Sequence, residues 1–100
     1  MTDHATIVRI FGGRLKAGAE EELEEAERPA VIWLNTLDGC FGAQLCRVKE
    51  EPGTFAIISR WRDQAALDAM LNHPEYRERT APGMGLLDGP PTVRHYLSAS

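Results

Sequence analysis

The segment Thr54-Phe-Ala-Ile-Ile-Ser-Arg-Trp61 has the strongest strand signal in the chain. It is rich in β-branched and aromatic residues, which favour extended structure. Successive side chains of a strand point to opposite faces, so Phe55 and Ile57 share one face. Ala56 and Ile58 occupy the other. Both faces are apolar, and the segment therefore predicts a strand in a sheet that is covered on both sides.

Three further strands are indicated by the same composition, at residues 5–16, 41–48 and 92–97. The second of these and the 54–61 strand flank a polar turn that ends in Pro52-Gly53, which predicts an antiparallel hairpin. The pair Gly12-Gly13 lies inside the first strand, where glycine indicates either a β-bulge or a close backbone approach.

The first helical segment follows the first strand. Apolar residues recur at three- and four-residue steps and so share one helix face: Leu23, Ala26, Ala30, Trp33 and Leu37. Pro29 predicts a kink or a restart within this helix, because proline removes a hydrogen bond and clashes with the preceding turn. Asp38-Gly39 predicts its C-terminal cap.

The second helical segment begins at Asp63, whose side chain can cap a helix. Its expected inner face consists of Ala66, Leu67, Met70 and Leu71. His73-Pro74 ends this helix, and Pro74 suits the first position of a short helix that extends to about Arg79. Residues 81–91 are predicted to form a loop.

The order of elements is therefore β-α-β-β-α-β, which predicts an α+β, ferredoxin-like fold with an antiparallel sheet. Helices can cover only one face of such a sheet. Because both faces of the 54–61 strand are apolar, we expect a second copy of the chain on the other face, and hence a homodimer. The length of 100 residues and the mass of 11.1 kDa predict a single domain, residues 1–100.

The net charge of −4 is unevenly distributed along the chain. Six of the fifteen acidic residues lie where the first helix begins: Glu20, Glu21, Glu22, Glu24, Glu25 and Glu27. Carboxylates are favoured at the positive end of a helix, so we interpret this run as a solvated helix end, with an acidic docking surface as the alternative. The basic residues are scattered singly, which argues against nucleic-acid binding.

Cysteine and histidine usage indicates neither a disulfide framework nor a metal site. Cys40 and Cys46 are too few for the first and lack the close spacing of metal ligands. His4, His73 and His95 have no close-spaced partner ligands. The sequence shows no signal peptide and no apolar run of about 18 residues, so we expect a cytoplasmic protein that does not associate with membranes.

The chain resembles the antibiotic biosynthesis monooxygenase family over about residues 6–97. The resemblance is carried by the element order, by Phe55-Ala-Ile-Ile-Ser-Arg-Trp61 followed by Arg62-Asp-Gln-Ala-Ala-Leu67, and by the His73-Pro74 break. It implies a dimeric α+β barrel similar to the small cofactor-free monooxygenases of aromatic polyketide pathways. Such enzymes oxidise quinol-like or polycyclic phenolic substrates with O2, without metal or flavin, using electrons from the substrate's own enolate or carbanion.

The same resemblance implies roles for residues at matching positions. The polyketide-type enzymes use an Asn, a Trp, a Tyr and an Arg. Trp61 matches the Trp, whereas Ile57 and Leu67 stand at the Asn and Tyr positions. The Arg corresponds to Arg77 or Arg79. Isoleucine cannot donate a hydrogen bond and leucine cannot transfer a proton, so a non-catalytic dimer that binds a small molecule is an alternative function.

A haem-degrading branch of the family provides a third possibility. It uses an Asn in the first strand, a Trp like Trp61 and a haem-ligating His in the second helix. Phe11 stands at that Asn position, and His73 lies near the His position but at the helix break. The primary expectation is therefore a protein without a cofactor.

Several residues could form a site for a small aromatic molecule. Trp61 could provide a flat wall with Ser59 as a hydrogen-bonding group on the same face, although a packed core position is the alternative. His73, Tyr76 and Arg77 fall within one turn and could bind a phenolate and move its proton. The alternative is that His73 caps the short helix, Tyr76 packs and Arg77 faces water.

Two strand positions complete the prediction. Arg9 interrupts an apolar strand, so it either pairs with a carboxylate or reaches a ligand. His95 and Tyr96 are adjacent in the last strand, and one of them must face the barrel, with an interface role as the alternative. We therefore predict as catalytic Trp61, Tyr76 and Arg77, and as substrate-binding Arg9, Phe11, Ile57, Ser59, His73 and His95.

Overall fold

A computed structural model describes residues 6–99 of the chain. The strands are β1 (Ile7–Arg14), β2 (Cys40–Arg47), β3 (Thr54–Trp61) and β4 (Thr92–Leu97). The helices are α1 (Glu20–Leu34), α2 (Gln64–Leu71), α3 (Tyr76–Thr80) and a single 3-10 turn, Met84–Leu86. The strands form one sheet in the order β2-β3-β1-β4, with all neighbours antiparallel. The predicted α+β ferredoxin-like fold is confirmed.

The two central strands, β1 and β3, pair without a register shift. The β-bulge alternative for Gly12-Gly13 is therefore wrong, and the close-approach alternative is confirmed. A Cβ at Gly12 would run into the carbonyl oxygen of Phe55 on β3, so only glycine fits there. An irregularity in the sheet occurs instead in β2, between Cys40 and Gly42.

Helix α1 is continuous through Pro29, so the restart expected at this residue is wrong. Pro29 has no N–H to donate to the carbonyl of Glu25, four residues earlier. Both residues lie on the exposed side of the helix, where water can hydrogen-bond to this carbonyl instead. The helix ends at Leu34 with Asn35 as its C-cap, earlier than the predicted cap at Asp38-Gly39. Gly39 instead adopts φ +81° in the turn that leads into β2.

Helix α2 begins as predicted. The Asp63 carboxylate accepts a hydrogen bond from the backbone N–H of Ala66 at 2.9 Å. The helix buries Ala66, Leu67 and Met70 against the sheet. The short helix α3 starts at Tyr76, two residues after the predicted position at Pro74.

The helices pack on one face of the sheet, and that face carries the core. Phe55, Ile57 and Trp61 of β3 point to this side and are almost fully buried. No helix within residues 6–99 covers the opposite face, where Val8, Ile10 and Ile58 lie, with Tyr96 46% exposed. None of the helices within residues 6–99 is long and apolar enough to cross a membrane.

Candidate active site

A cavity of about 210 Å3 lies between the helices and the helix-covered face of the sheet. Its lining is mostly apolar and includes four polar side chains, Arg9, Glu27, Tyr76 and Thr80. The apolar residues of the lining are Phe11, Ala30, Leu34, Ile57, Met70, Met84 and Pro91. A largely apolar cavity with a few polar groups is the usual form of a small-molecule site. Its volume is below the roughly 300 Å3 typical of drug-sized ligands, which favours a ligand of one or two rings.

Arg9 is the cationic group of the cavity. It is 9% exposed, and its guanidinium carbon lies 5.5 Å from the centre of the Phe11 ring. Its Nη2 donates a long hydrogen bond of 3.4 Å to the hydroxyl of Tyr76. The buried Nε has no hydrogen-bond partner among residues 6–99. Because a buried donor without a partner is costly, the Arg9 guanidinium is the natural contact for an oxygen anion of a ligand.

Glu27 is the anionic group of the cavity, and its position corrects the sequence interpretation. The run of glutamates was expected to be solvated, and Glu21 and Glu22 are indeed exposed. Glu27, however, is 1% exposed and accepts a hydrogen bond from the backbone N–H of Gly83 at 2.7 Å. Burial raises the pKa of Glu27, and the Gly83 hydrogen bond lowers it by a smaller amount.

Another member of the same run, Glu24, forms an ion pair across the surface. Arg47 on β2 contacts both of its carboxylate oxygens, at 2.5 and 3.0 Å. The Arg47 hydrogen bonds lower the pKa of Glu24. The acidic run therefore divides into exposed residues, a surface ion pair and one buried acid. It is not a single solvated surface.

Trp61 and Ser59 form a buried pair that does not line the cavity. Trp61 is fully buried, and its indole N–H donates to the Ser59 hydroxyl at 2.9 Å. Ser59 is 1% exposed and is the cross-strand partner of Arg9 on the same face of the sheet. Neither residue is among those that line the cavity, whereas Ile57, two positions before Ser59, is.

The three candidates in the His73–Arg77 turn separate in space. Tyr76 points into the cavity, but His73 lines a different depression beside α2. His73 accepts the backbone N–H of Glu75 through Nδ1 at 3.0 Å and packs edge-on against Trp33. Arg77 is exposed.

His95 lies on β4 opposite Arg9, on the helix-side face of the sheet. It is exposed within the single chain. His95 is therefore the cross-strand partner of a cavity residue but does not itself line the cavity. His4 lies outside the described residues. Within residues 6–99 there is no group of three or more His, Cys, Asp or Glu side chains that could hold a metal ion.

Glu27 is the cavity residue that sequence reasoning missed. The spacing Leu23, Glu27, Ala30 and Leu34 follows three- and four-residue steps, so Glu27 lies on the buried face of α1. The apolar periodicity of the sequence placed Ala26 on the buried face at this turn. Glu27 was assigned to the solvated helix end because of the surrounding glutamates. Gly83 was likewise assigned only to a loop.

The fold and the cavity together define a small α+β protein with a mostly apolar cavity between its helices and its sheet. The family model described as antibiotic biosynthesis monooxygenase matches residues 6–80, and the chain belongs to this family. The predicted family resemblance is thus confirmed. Membership supports a monooxygenase-like function in general terms. A comparison with curated proteins finds no match.

Several solved structures share the fold. A Pseudomonas aeruginosa protein is 21% identical over 100% of both chains, with a TM-score of 0.80. A Nitrosomonas europaea protein, named provisionally as an antibiotic biosynthesis monooxygenase, is 14% identical over 99% of this chain and 95% of its own, with a TM-score of 0.85. A conserved Methanosarcina mazei protein is 16% identical over 94% and 93%, also with a TM-score of 0.85. At these identities the likeness demonstrates the fold alone.

Proposed function

We propose that the chain is a cofactor-independent monooxygenase of a small quinol-like aromatic substrate, which binds in the cavity beside Arg9. The observation that carries the proposal is Arg9, whose side chain lines a mostly apolar cavity and whose buried Nε has no hydrogen-bond partner within the described residues. A hydroxyarene fits this arrangement because its ring occupies apolar space while its oxygen carries the negative charge.

The chemistry needs little from the protein besides binding and charge stabilisation. In the proposed reaction a 1,4-quinol gives a hydroxyquinone, one oxygen atom of O2 enters the ring, and the other leaves as water. The substrate supplies all four electrons, two from the quinol and two from the ring C–H bond. Ionisation of the quinol raises its electron density, so a cation that stabilises the quinolate promotes the step.

Arg9 and Tyr76 are the polar groups that we assign to the substrate oxygen. The family resemblance put an Asn at the position of Ile57, and isoleucine has no donor to offer. Arg9, on the neighbouring strand β1, pairs with Ser59, which is two positions after Ile57. Its donors therefore lie on the same face of the sheet as Ile57. The Tyr76 hydroxyl accepts from Arg9 and has its own proton available for the substrate oxygen.

The remaining predicted residues have supporting positions in this proposal. Phe11 and Ile57 provide apolar walls for the ring. Trp61 acts as a positioning residue through Ser59, the cross-strand neighbour of Arg9. His73 supports the turn before α3. Arg77, an exposed residue, remains a sequence prediction that the same assay can test.

The functional unit in this proposal is a homodimer that forms through the uncovered face of the sheet. Val8, Ile10 and Ile58 give that face its apolar character. Tyr96 on β4, the cross-strand partner of Val8, adds a large side chain to this face and is 46% exposed. A partner that covers such surfaces would remove them from water, which favours association.

The test is O2-dependent oxidation of 1,4-dihydroxynaphthalene, a two-ring quinol, followed by an oxygen electrode and by 18O incorporation. We expect catalysed uptake above the autoxidation rate, with label from 18O2 in the product. Arg9→Met should reduce the rate by about 100-fold or more, because it removes the charge that stabilises the quinolate. Arg28→Met, on the exposed side of α1, is the matched control, and Arg77→Met tests the sequence prediction.

A non-catalytic binding protein is the second candidate. It is favoured by Ile57 and by Leu67, which is 3% exposed in the core where a proton-transferring Tyr was implied. Tight binding of the quinol by the wild-type protein, without O2 uptake above background, would establish this function and overturn the first.

A further inference from the structure

Glu27 has a feature that its structural contact with Gly83 does not explain. Its Oε2 accepts the Gly83 N–H, but within residues 6–99 no hydrogen bond uses Oε1 and no cation forms an ion pair with the carboxylate. The side chain lines the same cavity as Arg9 and Tyr76. One carboxylate oxygen is thus held and the other is left for a ligand.

A buried carboxylate is an unfavourable group to accept the Gly83 N–H if that contact is its only role. Desolvation opposes its charged form, and a neutral amide could accept the same N–H without that cost. A side chain that lines a cavity with a cationic group, and that has one carboxylate oxygen fixed and the other unbonded, has in contrast the arrangement of a general base. Such groups are held in place and sit within reach of the proton they remove.

We propose that Glu27 is the proton acceptor of the cavity, taking the hydroxyl proton of a phenolic substrate whose oxygen then binds to Arg9. This inference rests on the proposed function, because it names the base in the same site. In the step, the O–H bond of the substrate breaks and an O–H bond to Glu27 forms. The electron pair stays on the substrate oxygen, so the step involves no oxidation.

The charges around the site are consistent with this direction of transfer. Arg9 on β1 faces the cavity with a positive charge, and Tyr76 on α3 faces it with a neutral hydroxyl. The segment at Gly83 contributes a backbone N–H. Proton transfer turns a carboxylate and a neutral phenol into a neutral carboxyl and a phenolate, so the net charge of the site is unchanged.

Burial also suits Glu27 to this task. A carboxyl whose pKa is raised by burial is a stronger base than an exposed one and holds the proton until the next step. The base is active only when ionised. The rate should therefore increase as pH rises through the pKa of Glu27, and that limb of the pH profile should be absent in Glu27→Gln.

The decisive experiment measures proton uptake, which does not depend on turnover. 4-Nitrophenol is used well above its own pKa, where it binds as the phenolate, and calorimetric titrations are compared in buffers of different ionisation enthalpy. Two negative charges cannot easily share the cavity, so the phenolate and Glu27 should take up about one proton from the buffer per ligand bound.

Three variants make the result specific. Glu27→Gln keeps an oxygen for the Gly83 N–H but cannot take a proton, so binding should persist with no proton uptake. Tyr76→Phe should keep the uptake, because the proton goes to Glu27. Glu22→Gln changes an exposed carboxylate of the same helix and should behave as the wild-type protein.

The outcomes separate the two proposals. Proton uptake that disappears only in Glu27→Gln supports the inference, even if no quinol is oxidised and the proposed function fails. Binding with no uptake, or with uptake that survives Glu27→Gln, overturns the inference and leaves a monooxygenase with another base. A failure of the wild-type protein to bind 4-nitrophenol overturns the site, and both proposals with it.

Discussion

The carboxylate of Glu27 on α1 accepts the backbone N–H of Gly83 at 2.7 Å and so connects two parts of the chain that lie 56 positions apart. This contact fixes the segment between α3 and β4 next to the cavity. The segment carries Met84, and its 3-10 turn spans Met84–Leu86. The base proposed for the site thus also holds one of its walls.

The first prediction concerns Gly83. A Cβ at this position would lie 2.5 Å from Glu27 Oε2 and 2.7 Å from a Leu23 methyl carbon, so Gly83→Ala must displace the segment or the helix side chains. We expect a loss of about 1–3 kcal/mol in the free energy of unfolding, as for other overpacked sites. Urea unfolding measures this loss.

The matched control is Gly85→Ala, two residues later in the same turn. A Cβ there has no atom within 4 Å. The substitution should change the free energy of unfolding by less than about 1 kcal/mol. Equal losses in the two variants would contradict the steric explanation for Gly83.

The second prediction concerns the pH dependence of stability. Because burial raises the pKa of Glu27, the folded state binds its proton more tightly than the unfolded state does. Stability is therefore lost as pH rises from the ordinary pKa of a glutamate through the raised value in the folded protein. Glu27→Gln cannot ionise, so it should gain stability relative to the wild-type protein across this pH range.

Urea unfolding at a series of pH values checks this sign. Glu22→Gln, at an exposed position of α1, should track the wild-type curve throughout. If the difference between wild type and Glu27→Gln stayed constant with pH, Glu27 would titrate at its ordinary value and the burial argument would fail.

The third prediction concerns the indole–hydroxyl pair behind the cavity. Trp61→Phe removes the donor to the hydroxyl of Ser59, a residue that is 1% exposed. Ser59→Ala removes the acceptor. Each should destabilise the protein, and the double variant should cost less than the sum by about 1 kcal/mol, since the second change no longer breaks a hydrogen bond.

Arg47→Ala provides the comparison for this cycle. Arg47 pairs with Phe55 at the far end of β3, about 20 Å from Trp61 at the usual rise per residue of a strand. Its effect should add to that of Trp61→Phe without coupling. A coupling as large as that of the Ser59 pair would mean that the cycle reports a general change in the sheet.

The fold could be predicted from the sequence because its signals are local and repeated. The alternation in β3, the Asp63 cap and the element order each pointed to the same topology. The errors fell at helix boundaries and at Pro29. A helix can accommodate a proline on its solvent-exposed side. The helical pattern of the sequence alone did not show that Pro29 lies on that side.

The site was less predictable, for a physical reason. Arg9 was recognised as a charged residue in an apolar strand and Tyr76 as a phenol within one turn of His73 and Arg77, and both line the cavity. Glu27 was assigned to a solvated run because five other glutamates surround it. Its spacing fits the buried face of α1, but Ala26 was assigned to that face at the same turn. The contact with Gly83 lies far away in sequence and leaves no local pattern.

The last prediction concerns the uncovered face of the sheet. Ile58 lies at the middle of this face, on the central strand β3. If a second copy covers it, the wild-type protein should sediment at twice the 11.1 kDa mass of the chain. Ile58→Asp would then place a carboxylate inside the interface, and we expect a shift to monomer in analytical ultracentrifugation.

Ile32→Asp is the matched control, because Ile32 is 63% exposed on α1, on the helix side of the sheet. It should leave the sedimentation unchanged, with circular dichroism confirming that both variants are folded. A wild-type protein that sediments as a monomer at all concentrations would refute the dimer. A monomeric Ile58→Asp that still binds 4-nitrophenol would show that each cavity binds its ligand without the partner subunit.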